Sequence, residues 1–279
     1  MTAIKVRGLT KSYGEVRAVR GIDLDIQPGE VFAVLGPNGA GKSTTVEILE
    51  GHRRRDGGEV SVLGVDPGQA TREWRSRIGI VTQNADDKPE ATVRELVTHF
   101  AGYYPSPMDP DEVMDRVGLR EKERSRVRAL SGGQRRRLDV ALGIVGRPQL
   151  LFLDEPTTGF DPAARRAFWE LISGLSDGGT TILLTTHYLD EAEALADRVA
   201  VVARGQVVAQ GDPHSLGGRT GGQATVSWRE NGERRSVRTG IPSRTVIELA
   251  ERFDGEVPEL TVTRPTLEDV YLSLIEETP

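Results

Sequence analysis

Val31-Phe32-Ala33-Val34-Leu35-Gly36-Pro37-Asn38-Gly39-Ala40-Gly41-Lys42-Ser43-Thr44 is the stretch from which the rest of the chain is read. The turn Pro28-Gly29 precedes an unbroken apolar run, Glu30–Leu35, which predicts a buried strand. Gly36–Ser43 then fits the pattern G-x-x-x-x-G-K-[ST], and a helical pattern follows to about Glu50. Glycines let such a loop turn its backbone N–H groups inward onto phosphate oxygens, and the helix adds its positive N-terminal end. Lys42 has the length to reach the β- and γ-phosphates, and Ser43 carries the hydroxyl that ligates Mg²⁺ in such loops. Gly36, Pro37, Asn38, Gly39, Ala40, Gly41, Lys42, Ser43 and Thr44 are therefore the candidate ATP-binding residues. The plain alternative is a glycine-rich turn with a surface lysine; the strand before and the helix after argue against it.

Outward from this loop the chain alternates. Ile4–Gly8 and Val16–Ile26 read as half-buried strands, Val60–Leu63 and Ile78–Thr82 as two more. From roughly Asn84 to Gly146 the periodicity turns helical, at Val93, Leu96, Val97 and Phe100 and again at Val113, Val117 and Leu119, which predicts a helical insertion. Leu150–Leu153 and Thr181–Thr186 are continuous apolar runs on either side of a helical pattern over Arg165–Leu175. This strand–helix–strand order predicts an α/β core with a parallel sheet. Glycines gather over Gly211–Gly222, which reads as a linker between a domain of residues 1–215 and a small α+β domain of residues 223–279. In the latter, Asn231-Gly232 joins Ala224–Glu230 to Glu233–Thr239 as a type I′ hairpin. A helix at Ser243–Phe253, a strand at Leu260–Thr263 and a helix at Thr266–Glu277 follow.

Two further motifs carry chemistry. Leu150–Leu153 ends in Asp154-Glu155, so a buried strand delivers two carboxylates to the sheet edge where open α/β sheets bind ligands. Asp154 is placed to hold the Mg²⁺ shell and Glu155 to polarise the attacking water as general base. Taken alone, the pair also fits an acidic turn after a core strand. Leu130-Ser131-Gly132-Gly133-Gln134 opens the helical pattern Arg135–Val145. Ser131 suits an N-cap, and the two glycines leave the first N–H groups open to an anion.

These motifs, in this order, resemble the nucleotide-binding subunit of an ABC transporter, over about Ile4 to Gly211. Leu130–Gln134 is similar to that family's signature and is more specific than the phosphate loop. The resemblance implies a P-loop NTPase with a mixed, mainly parallel sheet, an N-terminal antiparallel β subdomain and a helical subdomain at about residues 84–146. It implies that Tyr13 stacks on adenine and that Gln83 senses Mg²⁺ and the transport partner. Asp161, in Gly159-Phe160-Asp161-Pro162, would communicate across a dimer, and His187 would act near the γ-phosphate. Read singly, each of these four has an ordinary strand, cap or loop role. The family also implies that Ser131, Gly132, Gly133 and Gln134 of one copy cover ATP held by another, making an ATP-closed homodimer that drives a polytopic membrane permease. Phe160 departs from the family's usual leucine. Thr266–Leu274 is similar to the ending of daunorubicin-resistance exporter subunits, which points to efflux of drugs or other hydrophobic compounds. The tail beyond it departs from that ending. The alternative is an ATP-switched soluble module acting on a cytosolic protein or nucleic acid, with Ala224–Glu277 as its reader.

Composition bounds these readings. Within 279 residues, no cysteine is available for disulfides, thiolate catalysis or sulfur-ligated metals, and four histidines are too scattered for a metal site. The net charge of −6 argues against a polyanion partner, so Arg53–Arg55 and Arg135–Arg137 read as solvated or interface faces and no nucleic acid is expected. No apolar run approaches the ~20 residues of a membrane span, and Met1–Lys11 lacks a signal-peptide core. The expectation is a cytoplasmic subunit, peripheral on the inner face of the membrane.

Overall fold

The computed structural model describes residues 2–82, 90–218 and 223–276. It divides into two compact units, Met1–Val208 and Ala209–Pro279.

The first unit is built on two sheets. Strands β1 (Ile4–Tyr13), β2 (Val16–Ile26) and β4 (Gly57–Val62) form an antiparallel sheet in the order β2-β1-β4. Alternation in β1 and β2 puts Ile4, Val6, Ile22, Leu24 and Ile26 on a fully buried face. The second sheet runs β5-β6-β7-β3-β8-β9, with β3 Val31–Leu35, β5 Ile78–Val81, β6 Leu150–Asp154, β7 Thr181–Thr186, β8 Arg198–Ala203 and β9 Gln206–Gly211. The pairs β5–β6, β6–β7, β7–β3 and β3–β8 are parallel. Every residue of β3 and β7 is buried, which is why both read as unbroken apolar or β-branched runs rather than alternating ones. One apolar cluster joins the antiparallel sheet to Phe32, Phe152 and Leu183 of the large sheet and to Ile48 of the helix that follows the glycine loop. The fold is that of a P-loop NTPase with a mixed, mainly parallel sheet.

Helix α1 (Lys42–Leu49) follows the glycine loop, and the one-turn α2 (Arg72–Arg75) seats Trp74, whose indole N–H donates to the Val62 carbonyl at 2.8 Å. The expected helical segment contains α3 (Val93–Ala101), α4 (Pro110–Arg116) and α5 (Gly132–Ile144). Thr92 and Glu95 form a capping box at the start of α3, and Ser131 and Gln134 form another at the start of α5. Gly79 on β5 and Gly143 on α5 let these two elements approach closely: a methyl group at Gly79 would lie 2.2 Å from the Gly143 carbonyl oxygen. Helix α6 (Pro162–Asp177) crosses between β6 and β7, and α7 (Leu189–Leu195) leads into β8.

The second unit holds a three-stranded antiparallel sheet, β11-β10-β12, with β10 Ala224–Glu230, β11 Glu233–Thr239 and β12 Thr261–Thr263. Asn231 and Gly232 both have positive φ, 51° and 82°, as the type I′ turn requires. Helix α8 (Pro242–Arg252) covers Val226 with Leu249, and α9 (Leu267–Glu276) closes the described chain, with Val270 packed over Gly217.

Candidate functional site

The register of the large sheet brings the motifs together. Leu35 pairs with Thr186, Asp154 with Thr185, and Val81 with Leu153. Strands β3, β5, β6 and β7 therefore end at one level. The glycine loop, Thr82, Asp154-Glu155 and His187 all leave the sheet along its C-terminal edge.

Two glycines give the loop its shape. Gly39 and Gly41 have φ of 80° and 100°, and a methyl group at Gly41 would sit 2.3 Å from the Ala18 carbonyl oxygen. Gly41 is also the N-cap of α1 and brings no capping side chain to its first-turn amides. A cleft of about 310 Å³ opens over the loop, lined by Asn38, Gly39, Gly41, Lys42, Ser43 and Thr44 together with Tyr13, Ala18 and Glu155. Gly36 and Ala40 are buried beneath it. Lys42 is only 6% exposed. Its ammonium donates to the carbonyls of Gly36 (2.7 Å) and Pro37 (3.2 Å), folded over its own loop. Burial pushes its pKa below the ordinary lysine value, while Glu155 and Asp154 pull it back up.

Tyr13, at the end of β1, is an exposed aromatic at the mouth of this cleft. The Arg53 guanidinium lies 5.3 Å from its ring centroid and the Lys11 amine 5.6 Å. Arg53 is itself paired with Glu47 of α1.

On the other side of the cleft Asp154 and Glu155 share one partner. The Thr185 hydroxyl donates to Asp154 Oδ1, and the Glu155 N–H donates to the Thr185 carbonyl (3.0 Å) and approaches its hydroxyl (3.2 Å). Glu155 has φ of 42°, a left-handed conformation that costs a residue with a side chain about 1–3 kcal/mol. Its carboxylate, 14% exposed, lies 3.4 Å from Nδ1 of His187, which is 39% exposed. Glu155 and His187 are thus brought together, and Glu155 also lines the cleft over Lys42.

Ser131–Gln134 lie elsewhere: they are not among the described residues lining that cleft. The Ser131 hydroxyl accepts from the Gln134 N–H (3.3 Å) and the Gln134 side-chain oxygen from the Ser131 N–H (3.1 Å), with Ser131 and Gly132 exposed. Asp161 is the N-cap of α6, its Oδ1 accepting from the amides of Ala163 and Ala164, both at 2.9 Å. Phe160 is half-buried and packs edge-on against Phe168 at 5.7 Å, which is how the site accommodates an aromatic. Gln83 lies outside the described residues.

Two residues in these contacts were not foreseen from the sequence. Thr185 was read only as part of a buried strand. Arg136 was read as part of a solvated or interface face, and the structure corrects that. It is 7% exposed, and its guanidinium reaches the carbonyls of Thr82, Asp154 and Pro156. The signal was available in helical spacing: Arg136, Val140 and Ile144 fall at i, i+4 and i+8 on the buried face of α5.

A nucleotide-binding loop, a carboxylate pair and a histidine at the C-terminal edge of a mainly parallel sheet define a P-loop ATPase. The ABC transporter family model matches residues 19–158. The daunorubicin resistance ATP-binding protein DrrA3 of Streptomyces coeruleorubidus is 38% identical, over 98% of this chain and 96% of its own. The Nod factor export ATP-binding protein I of Rhizobium etli is 42% identical, over 77% of this chain and 70% of its own. A dimeric structure of MJ0796, a bacterial ABC transporter cassette, superposes with a TM-score of 0.65 at 25% identity, covering 75% of this chain and 98% of that one. The chain belongs to the ABC transporter family, as an ATP-binding, ATP-hydrolysing subunit. Among the described residues no helix is long and apolar enough to cross a membrane.

Proposed function

We propose that two copies of this chain close around two ATP molecules and power a separate membrane permease that exports drugs or other hydrophobic compounds. The observation that carries this reading is the separation of the motifs. The cleft over Lys42 contains one side of a nucleotide site, while Ser131 and Gly132 stand exposed away from it. A second copy related by a twofold axis supplies the missing side to each site. The dimeric structure of the relative MJ0796 supports pairing of two copies. The names of the drug-resistance and Nod factor relatives support export. The compound exported would be selected by the permease. The subunit would work from the cytoplasmic face of the membrane, held there by that partner.

Within each site, the glycine loop and Lys42 hold the triphosphate, Tyr13 stacks on adenine, and Ser131–Gln134 of the second copy cover it. Mg²⁺ fits the donors present. The Ser43 hydroxyl and the Asp154 carboxylate are hard oxygen ligands, with Gln83 as a further one. The described residues contain no cluster of three or more metal-ligating side chains, so phosphates and water would complete the shell. The ion would supply charge neutralisation on the phosphates. Glu155 takes a proton from the attacking water, and His187, beside it, stabilises the γ-phosphate. Asp161 lies at the dimer seam. Residues 1–215, with the helical part at about 84–146, form the catalytic domain, and residues 223–279 a separate appendage.

The test is Glu155→Gln. It retains ATP binding, loses turnover by about 100-fold or more, and elutes as a dimer with ATP and a monomer without. Rapid hydrolysis by this variant would remove the role given to Glu155. If no polytopic membrane protein copurifies with the chain, a soluble switch is favoured instead.

A further inference from the structure

The guanidinium of Arg136 joins three segments that the sequence keeps far apart. Its Nε donates to the carbonyl of Pro156 at 3.0 Å, one Nη to that of Asp154 at 2.7 Å and the other to that of Thr82. Asp139, one turn on, lies 3.9 Å away. A buried arginine is tolerated only where its donors are satisfied and its charge is paired; here the three hydrogen bonds go to backbone carbonyls at the ends of β5 and β6, and Asp139 faces the charge. Two of those carbonyls bracket Glu155. Pro156 cannot rotate about φ, so holding the Asp154 and Pro156 carbonyls leaves Glu155 little backbone freedom. That restraint acts on a residue whose φ of 42° needs one. The Thr185 carbonyl holds the Glu155 N–H from the opposite side. Arg136 lies on the helix that begins at Ser131.

We propose that Arg136 is a positioning residue for hydrolysis: from the helix that opens with Ser131–Gln134, it holds the backbone that aims Glu155. This deepens the reading of Glu155 given above and rests on it. Movement of α5 when Ser131–Gln134 engage a nucleotide on the second copy would thereby be felt at the general base of its own chain. Arg136 touches neither the cleft lining nor His187 among the contacts described, so its removal acts on aim rather than on nucleotide binding.

The experiment compares Arg136→Met and Arg136→Lys with the parent, as full-length chains. It measures ATP affinity with a fluorescent ATP analogue, steady-state turnover, and amide hydrogen exchange across Leu151–Thr158 and across Thr181–Thr186. Arg136→Met is expected to lose turnover by about 100-fold, the scale of a small misplacement of a catalytic group. ATP affinity stays within about threefold. Exchange quickens at Asp154–Thr158 and is unchanged in β7. Arg136→Lys, able to keep one carbonyl, falls between. Turnover of the methionine variant within about threefold of the parent overturns the proposal, as does a parallel loss of affinity, turnover and β7 protection, which marks plain destabilisation. Should the methionine variant fail to fold, the lysine variant is read by the same criteria. Glu155→Gln separates the two claims: if it hydrolyses ATP rapidly, Glu155 is not the base, while the exchange at Asp154–Thr158 still reports whether Arg136 holds that backbone.

Discussion

At the scale of single residues, burial decides the behaviour of the charged groups. Lys42 is kept inside the protein by the carbonyls of Gly36 and Pro37, so an arriving triphosphate exchanges two dipoles for full negative charges. Lys42→Ala should therefore weaken ATP by about 100-fold, read by equilibrium binding; unchanged affinity would contradict the loop's role. Glu50, at the end of α1, is pushed up to about 8, first by burial and then by the Asp154 and Glu47 carboxylates. Its ordinary value is 4.5, so the folded chain holds a proton that the unfolded chain has lost over that interval. The contribution to stability is intact at the acid end and is lost as pH rises through about 8, with each pKa unit worth about 1.4 kcal/mol. Glu50→Gln removes the penalty. Its melting temperature should exceed that of the parent by a margin that widens between about pH 6 and about pH 8.5; a margin independent of pH would show that Glu50 does not hold the proton.

At the scale of elements, the glycines of the phosphate loop and those of the β5–α5 contact do different work. Gly41 supplies a left-handed conformation as well as room for the Ala18 carbonyl, whereas Gly79 supplies only an absence of side chain. Because a methyl group at Gly79 collides with the Gly143 backbone, Gly79→Ala must push α5 away from β5. Such overpacking costs about 1–3 kcal/mol. Since α5 carries Arg136, turnover should fall more than ATP affinity does. Chemical denaturation and single-turnover kinetics check the two halves of this expectation. Element identity was legible where local signals agreed. Ser131 announced a capped helix, and Asn231-Gly232 a hairpin. Strand ends were less legible. β1 continues to Tyr13, past the Gly8 at which alternation fades, because its pairing with β2 extends that far. β8 and β9 are joined by no turn motif as strong as Asn-Gly, and they emerge only from the sheet, β8 beside β3 and β9 beside β8.

At the scale of the whole molecule, each chain carries one cleft over Lys42 and one Ser131–Gln134 segment. If each complete site draws these from different copies, two crippled variants can repair one another. Lys42→Ala loses the loop, and Ser131→Arg blocks the covering segment. A mixed dimer of the two has one site with both defects and one with neither. Random mixing in equal parts makes about half the dimers mixed, with one good site in two, so about a quarter of parental turnover should return. The assay is ATP hydrolysis of each variant alone and of the mixture. No recovery on mixing would mean that each chain completes its own site.

The phosphate loop, the acidic strand end and the capped signature helix could be read from the sequence because their signals are local. Glycines at positive φ, a lysine one residue into a helix and a serine at its cap act within a few residues of themselves. The likeness of the ordered motifs to one family then supplied roles for Tyr13, Asp161 and His187 that no single residue announces. Tertiary structure alone decided which groups meet. Glu155 faces His187 because β6 and β7 end in register, and Thr185 reaches Asp154 for the same reason. Arg136, charged and set between two other arginines, looked like surface. Three backbone carbonyls from strand ends 18 to 54 residues away in the chain make burial of its charge tolerable. Helical spacing signals that Arg136 is buried, but its hydrogen-bond partners have no local signature, because they are peptide groups, which every residue carries and only the fold can bring near.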